Sequence, residues 1–321
     1  MSLEPLVDFP STNASDHQFI KQTCAILEEG GPQDALEWAV NRFGDRMTIA
    51  TGFGAEGVAL IDMAVRINSR IDIFFLDTGF LFPETYELRR RIEDLYGIKI
   101  RAVRTNLSPE KQAQLHGPAL WDRDPDLCCR LRKVEPLELA LDGFDVWVTA
   151  IRREQSPSRS LAQVVEWDGR WNRVKINPLV RWSRADVWRY IVRHNLPYNP
   201  LHDRGYPSIG CTHCTQPVGL GGHERAGRWK GHGKTECGLH GPPDQAECRT
   251  RDQALSEANG SAATVIDLRR APERQSLSAQ WAAEPPKPAE PPKDIQTPVA
   301  RSERLQPDPH AALAVARGRF F

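Results

Sequence analysis

Between residues 46 and 150 the chain changes its hydrophobic period in a regular rhythm. RMTIA (46–50) reads as a strand, TGFGAEG as a tight loop, and GVALIDMAVRI spaces its apolar residues as a helix does. DIFFL, the loop DTGFLF and the helical PETYELRRRIEDLYG repeat the pattern, and IKIRAVR adds a further strand. A helix over DLCCRLRKVEPLELALDG then leads into the strand FDVWVTA. Strands alternating with helices at this spacing specify an α/β chain with a doubly wound, mostly parallel sheet. Such sheets bind ligands beyond the carboxyl ends of their strands.

The flanks are read from caps and turns. Residues 17–43 form two helices, the second, PQDALEWAVNRFG, with proline at its start and glycine at its stop. VVEWDGRWNRVKI reads as a hairpin turning at Asp168 and Gly169, the pair that suits a type I′ turn. SRADVWRYIVRHN is an amphipathic helix with Ser183 as its N-cap. After Gly241 the pattern fades: 11 of the 25 prolines fall in the last 81 residues, and hydrophobic periodicity is nearly absent. That composition predicts a disordered tail over 241–321, with a weakly signalled helix near DLRRAPERQSLSAQW. The expected division is therefore 1–43, helices packing on the core; 44–240, the α/β domain; and 241–321, the tail.

Charge decides what kind of partner to expect. The 42 basic and 42 acidic residues balance, so nothing global points to nucleic acid or an anionic membrane, and an anion site must come from local clustering. No apolar run approaches the roughly 18 residues of a membrane span, and the N-terminus lacks the pattern of a signal peptide. The chain is expected in the cytoplasm, where its seven cysteines would be reduced thiols, metal ligands or catalytic sulfurs.

Cysteine spacing is the most informative chemistry. Cys128 and Cys129 are adjacent, and Cys211 and Cys214 form a CxxC within SIGCTHCT. Four thiolates can hold a zinc ion or an iron-sulfur cluster. The adjacent pair favours the cluster, whose separate iron corners let neighbouring sulfurs each take one; zinc and an incidental, metal-free grouping stay as alternatives. Arg130, Arg132 and Lys133 follow the pair and would oppose a cluster's negative charge, unless they belong to a solvated helix face. Cys24 reads as a core residue and Cys248 as a bystander in the tail. Cys237, alone in KTECGLH, has no close partner for a short redox pair.

Three stretches could receive an anion. TGFGAEGV joins a strand to a helix, where backbone N–H groups and the helix dipole can take a phosphate, although it lacks the ending of a Walker A motif. IRREQSPSR contributes Arg152, Arg153 and Arg159, and GGHERAGRWKGHGK contributes Arg225, Arg228, Lys230 and Lys234. Beside the phosphate turn, these loops suggest a small substrate with several negative charges. Tight packing for the turn, and a soluble surface for the loops, are the competing readings.

Together, GAEGVALIDMA, LDTGFLFPETYEL, CCRLRKVEPL, RREQSPSR, INPLVRWSRADVW, PYNPLHDRGYPSIGCTHCT and ECGLH closely resemble the assimilatory adenylyl-sulfate (APS) and phosphoadenylyl-sulfate (PAPS) reductases, over roughly residues 40–240. The resemblance implies an adenine nucleotide alpha hydrolase-like, or PP-loop, fold. It implies that Cys128, Cys129, Cys211 and Cys214 hold a [4Fe-4S] cluster, a feature typical of members acting on APS. It further implies that Lys133, Arg159, Arg225, Arg228 and His240 contact or surround the phosphosulfate, and Thr51 and Gly54 of the phosphate turn are further substrate-binding candidates. The activity implied is thioredoxin- or glutaredoxin-dependent reduction of APS to sulfite and AMP, through a thiosulfonate on Cys237, in sulfate assimilation and cysteine biosynthesis. PAPS, or both nucleotides, is the alternative substrate, and a nucleotide-binding iron-sulfur sensor without turnover is the alternative of another class. Lys234 and a protonated His240 are expected to favour the Cys237 thiolate, with Glu236 opposing, and glycines 227, 231, 233 and 238 to let the segment swing. The chain departs from the family pattern in Thr51, Gly52 and Phe53 where serines usually begin the turn, in Ala150, and in running about 80 residues past ECGLH.

Overall fold

The computed structural model describes residues 14–219 and 221–240. Two helices open it, α1 (Ala14–Leu27) and α2 (Pro32–Phe43). Then β1 (Met47–Thr51) leads to α3 (Ala55–Ile67), β2 (Asp72–Leu76) to α4 (Pro83–Tyr96), and β3 (Arg101–Val103) to α5 (Pro109–His116), α6 (Leu120–Arg123) and α7 (Pro125–Cys129). A π-helical turn over Arg130–Val134 joins α7 to α8 (Glu135–Leu141), ahead of β4 (Val146–Val148). β5 (Val165–Asp168), β6 (Arg173–Ile176) and α9 (Arg184–Arg193) follow. The expected tail and Cys248 lie outside the described residues.

One six-stranded sheet runs β3-β2-β1-β4-β6-β5, parallel except for β5, which pairs antiparallel with β6. The doubly wound expectation holds. From β1 the chain winds outward to β3 and returns to place β4 on β1's other side, so the order reverses between β1 and β4. That reversal opens a crevice at the strands' carboxyl ends.

Pleating divides the core between the two faces of the sheet. Ile49, Ile73, Phe75, Val146 and Val148 belong to a cluster completed by α2, α3 and α9, and Phe74 and Trp147 point the other way, onto Leu137, Ala140 and Leu141 of α8. Both faces are covered, which is why these strands read as nearly continuous apolar runs. Each fully buried Phe or Leu contributes about 1.5–3 kcal/mol. Cys24 is buried in this core as expected.

One local expectation is refined and one is corrected. The helix over 126–143 forms with helical backbone from α7 into α8, but Pro136 has no N–H to return to the carbonyl four residues back, and the backbone widens into the π turn just before it. The hairpin turns through four residues, 169–172, with Asp168 paired to Arg173, so Asp-Gly is not its two-residue tip. The left-handed residue is Asn172, at φ 53°, a conformation asparagine tolerates.

Candidate active site

Thr51 ends β1 within the crevice, and its hydroxyl accepts the Phe53 N–H at 3.2 Å. Phe53 holds φ at 55° because its buried ring is fixed edge-on against Phe75, centroids 5.3 Å apart. Gly54 caps α3, and a Cβ on Gly57 would lie 2.6 Å from Thr51 Oγ1, so the helix approaches the turn only because that residue is glycine. The first N–H groups of α3 thus face the crevice, where a phosphate can be received.

A cavity of about 240 Å³ occupies the crevice. Thr51, Gly54, Lys133 and Arg159 line it, and so do Arg225, Arg228, Cys237 and His240. Eight positions separated by up to 189 residues in the chain meet in one place. The cations there are held tightly. Arg159, on the turn Pro157–Arg159, donates to Gln155 and makes a two-pronged contact with Glu236, 2.9 Å from each nitrogen. Arg225 donates to the same carboxylate at 3.1 Å and to the Thr235 carbonyl at 3.0 Å. Burial, then the neighbouring Arg159 and Arg228, push Arg225 down to about 10, still protonated at neutral pH.

The indole of Trp229 organises these like charges. Lys133, Arg225, Arg228 and Lys234 lie 5.7, 5.9, 4.6 and 5.6 Å from its centre. A ring face attracts each cation, which offsets their mutual repulsion. Sequence reasoning named the cations of GRWKG and passed over the tryptophan between them.

Cys237 is half-buried at the cavity wall. Burial pushes its thiol up, but the Lys133 ammonium, the Leu239 backbone N–H and Arg228 outweigh burial and Glu236, and the result is a lowered pKa. The cations expected beside it were Lys234 and His240. Lys234 is instead paired with Asp126, and His240 is kept neutral by burial and by Arg159, Lys175 and Arg225, its pKa well below the imidazole range. The His240 ring stacks on Trp147, centroids 5.5 Å apart and 8° from parallel.

Other loop residues prove to be struts. Arg152 is fully buried and tied to Glu56, Glu154 and Glu224 at 2.8, 3.0 and 2.7 Å, joining α3 to the loop around residue 224. Arg153 reaches Glu28 and the Ala162 carbonyl, and Lys230 is exposed, so neither lines the cavity. Gly227 serves packing rather than swing: a Cβ there would lie 2.0 Å from the Gln216 carbonyl.

Next to the cavity, Cys128, Cys129, Cys211 and Cys214 are all buried and line a second, smaller space with Phe80, Trp121, His213, Arg132 and Lys133. Trp121 and His213 stack 3.8 Å apart at 9°. Thr78 Oγ1 lies 3.3 Å from the Cys211 sulfur, and Gln112 donates to Cys128 at 3.9 Å. Burial foremost pushes Cys128 to about 11 and Cys214 to about 12, and raises Cys129. Among the described residues no three His, Cys, Asp or Glu groups converge on a point for one ion; the sulfurs surround the space instead. Arg132 fixes its guanidinium on Gln112 and the Thr78 carbonyl at 2.6 and 2.7 Å, and its Nη2 is buried without a partner among the described residues. Four thiols beside buried Lys133 and the unpartnered Nη2 of Arg132 fit a group that takes thiolates and carries negative charge. Arg130, by contrast, is exposed beside Glu135.

Residues 46–217 match the model of the phosphoadenosine phosphosulfate reductase domain, over half of the chain. The chain belongs to that family. An adenosine 5′-phosphosulfate reductase of Halalkalibacterium halodurans is 46% identical over 222 residues, 69% of this chain and 96% of that protein. A phosphoadenosine 5′-phosphosulfate reductase of Gloeobacter violaceus is 48% identical over 228 residues, covering 70% and 95%. The crystal structure of a phosphoadenylyl-sulfate reductase from Candida auris, in complex with phosphate, superposes with a TM-score of 0.56 at 33% identity, covering 66% of this chain and all of that one. The matched stretch ends at 217, and residues 225–240 add further cations and the thiol to the site. No helix among the described residues is long and apolar enough to cross a membrane.

Proposed function

We propose that the chain reduces adenylyl sulfate to sulfite and AMP, with Cys237 as nucleophile and reduced thioredoxin, or glutaredoxin, as two-electron donor, in assimilatory sulfate reduction and cysteine biosynthesis. The observation that carries this reading is a thiol of lowered pKa opening on the same cavity as a phosphate-receiving helix start and three arginines. Relatives named adenosine 5′-phosphosulfate reductase, covered almost end to end, support it.

In the first step the Cys237 thiolate attacks the sulfonyl sulfur. An S–S bond forms, the bond from sulfur to the phosphate oxygen breaks, and AMP leaves with the electron pair. Arg159, Arg225 and Arg228 would stabilise charge gathering on the departing phosphate and lessen its repulsion of the thiolate. Thr51, Gly54 and the start of α3 would hold the nucleotide, and neutral His240 would line the site as a hydrogen-bonding ring. In the second step a thioredoxin thiolate attacks the Cys237 sulfur, sulfite departs, and the mixed disulfide is resolved by the donor's second thiol. The donor supplies both electrons. A partner that must stay reduced suits the cytoplasm. Cys128, Cys129, Cys211 and Cys214 would hold a [4Fe-4S] cluster, which when bound supplies fixed negative charge and anchorage beside Lys133.

The names of the Gloeobacter and Candida relatives favour a second substrate reading, PAPS. Anaerobically purified protein incubated with each nucleotide and reduced thioredoxin separates the two: APS should give the higher kcat/KM, and equal or greater turnover of PAPS reverses the choice. Mass spectrometry of enzyme trapped with APS should find a sulfonate on Cys237. Its absence there, with sulfite still produced, refutes the mechanism.

A further inference from the structure

The carboxylate of Glu236 is saturated. Ser156 and Ser158 hydroxyls donate to Oε1 at 2.9 and 3.1 Å, and Arg159 Nε joins them at 2.9 Å. Oε2 accepts Arg159 Nη2 at 2.9 Å and Arg225 Nη2 at 3.1 Å. Both arginines line the cavity, whereas the carboxylate lies behind them, outside its lining. Glu236 is also the residue before Cys237. The rest of its segment is docked by separate contacts: Arg170 donates to the Gly238 carbonyl, Trp171 Nε1 to the Leu239 carbonyl at 3.3 Å, and His240 stacks on Trp147.

We propose that Glu236 is a positioning residue that makes two events one: docking of the Cys237 segment over the cavity, and alignment of Arg159 and Arg225 toward the anion. The inference rests on the catalytic role given above to Cys237. Three guanidinium groups crowd one wall, and a fixed carboxylate behind two of them cancels part of their repulsion, holding Arg159 in plane by a two-pronged contact and Arg225 by a single hydrogen bond. The carboxylate travels with the nucleophile. When the segment leaves to meet its reductant, the arginines lose their common anchor; when it returns, sulfur and arginines are set together. A substrate anion therefore meets its full complement of aligned cations only when the nucleophile is in place.

The test uses full-length holoenzyme carrying Glu236→Gln or Glu236→Asp. Alkylation of Cys237 by iodoacetamide, located by mass spectrometry and measured at a pH where the thiol is fully ionised, reports access alone. Glu236→Gln should be alkylated about tenfold faster, turn over APS about 10- to 100-fold more slowly, and bind AMP several-fold more weakly because Arg159 and Arg225 lose the anchor that aims them at the anion. Glu236→Asp should recover part of the turnover. Equal alkylation rates overturn the proposal whatever kcat does, and so does AMP binding that is unchanged or tighter. If wild-type protein makes no sulfite from either nucleotide, the functional reading fails instead, and the alkylation and AMP measurements still decide the role of Glu236.

Discussion

Five free cysteines among the described residues gather around Trp229 and Lys133, yet they fall into two kinds. Burial pushes the thiols of Cys128, Cys129 and Cys214 above the ordinary range, whereas Cys237 lies below it. Cation proximity alone does not explain the difference. Lys133 acts on Cys129 and Cys214 as well, and Arg228 acts on Cys214. What Cys237 has in addition is the Leu239 N–H, brought back to the sulfur by Gly238 at φ 86°. Across two adjoining cavities, a backbone turn adds to Lys133 and Arg228 in separating a thiol suited to attack from thiols held protonated by burial.

The largest effect should come from removing the reactive sulfur. Cys237→Ser should lower sulfite release by about a thousandfold or more, with iron and sulfide content unchanged, since the quartet on its own cavity does not need it. Loss of iron in that variant would show that the two environments are one. Lys133→Met strikes both. The ammonium is buried between the groups, and thiolate charge on Cys211, Cys237 and Cys129 raises its pKa against burial. Without it the midpoint of Cys237 alkylation against pH should move up by about one pH unit. The sign follows from losing a cation that favours the charged form. The kcat/KM should fall about 100-fold, and an unshifted alkylation curve would transfer that role to Arg228.

Much of this was legible in the chain. The hydrophobic rhythm specified the sheet because parallel strands buried on both faces must be apolar throughout, and site residues followed because the loop after β1 carries the glycine turn and the cysteines show by their spacing. Pairings across long separations were not legible. Nothing local to Arg152 says that Glu56 and Glu224, 96 and 72 residues away, will bury it, or that Arg159 will meet Glu236, 77 residues on. Charge type shows in a sequence, but its partner does not. That is why Arg152 read as a substrate cation and Lys234 as an activator of Cys237. The π turn did have a visible cause in Pro136, which a helix of continuous apolar period obscured.

Gly238→Ala tests the backbone turn directly. A Cβ there would meet Val134 at 3.6 Å and Arg170 at 3.8 Å, ordinary contacts, so the cost lies in the positive φ, about 1 kcal/mol. Turnover should fall about tenfold and the acid limb of Cys237 alkylation should move toward the ordinary thiol near pH 8.5. Wild-type behaviour in this variant would return the explanation to Lys133 and Arg228.

The smallest effect should belong to Lys234, the nearest cation to Cys237 in sequence. Its ammonium lies with Asp126, on α7, and over the Trp229 ring. An exposed partner makes such an ion pair worth about 0.2–1 kcal/mol, so Lys234→Ala should change turnover by about twofold at most and leave the Cys237 alkylation curve in place. A shift of that curve matching Lys133→Met would mean that proximity in sequence, not the folded arrangement of Lys133, Arg228 and the Leu239 N–H, sets the reactivity of the sulfur.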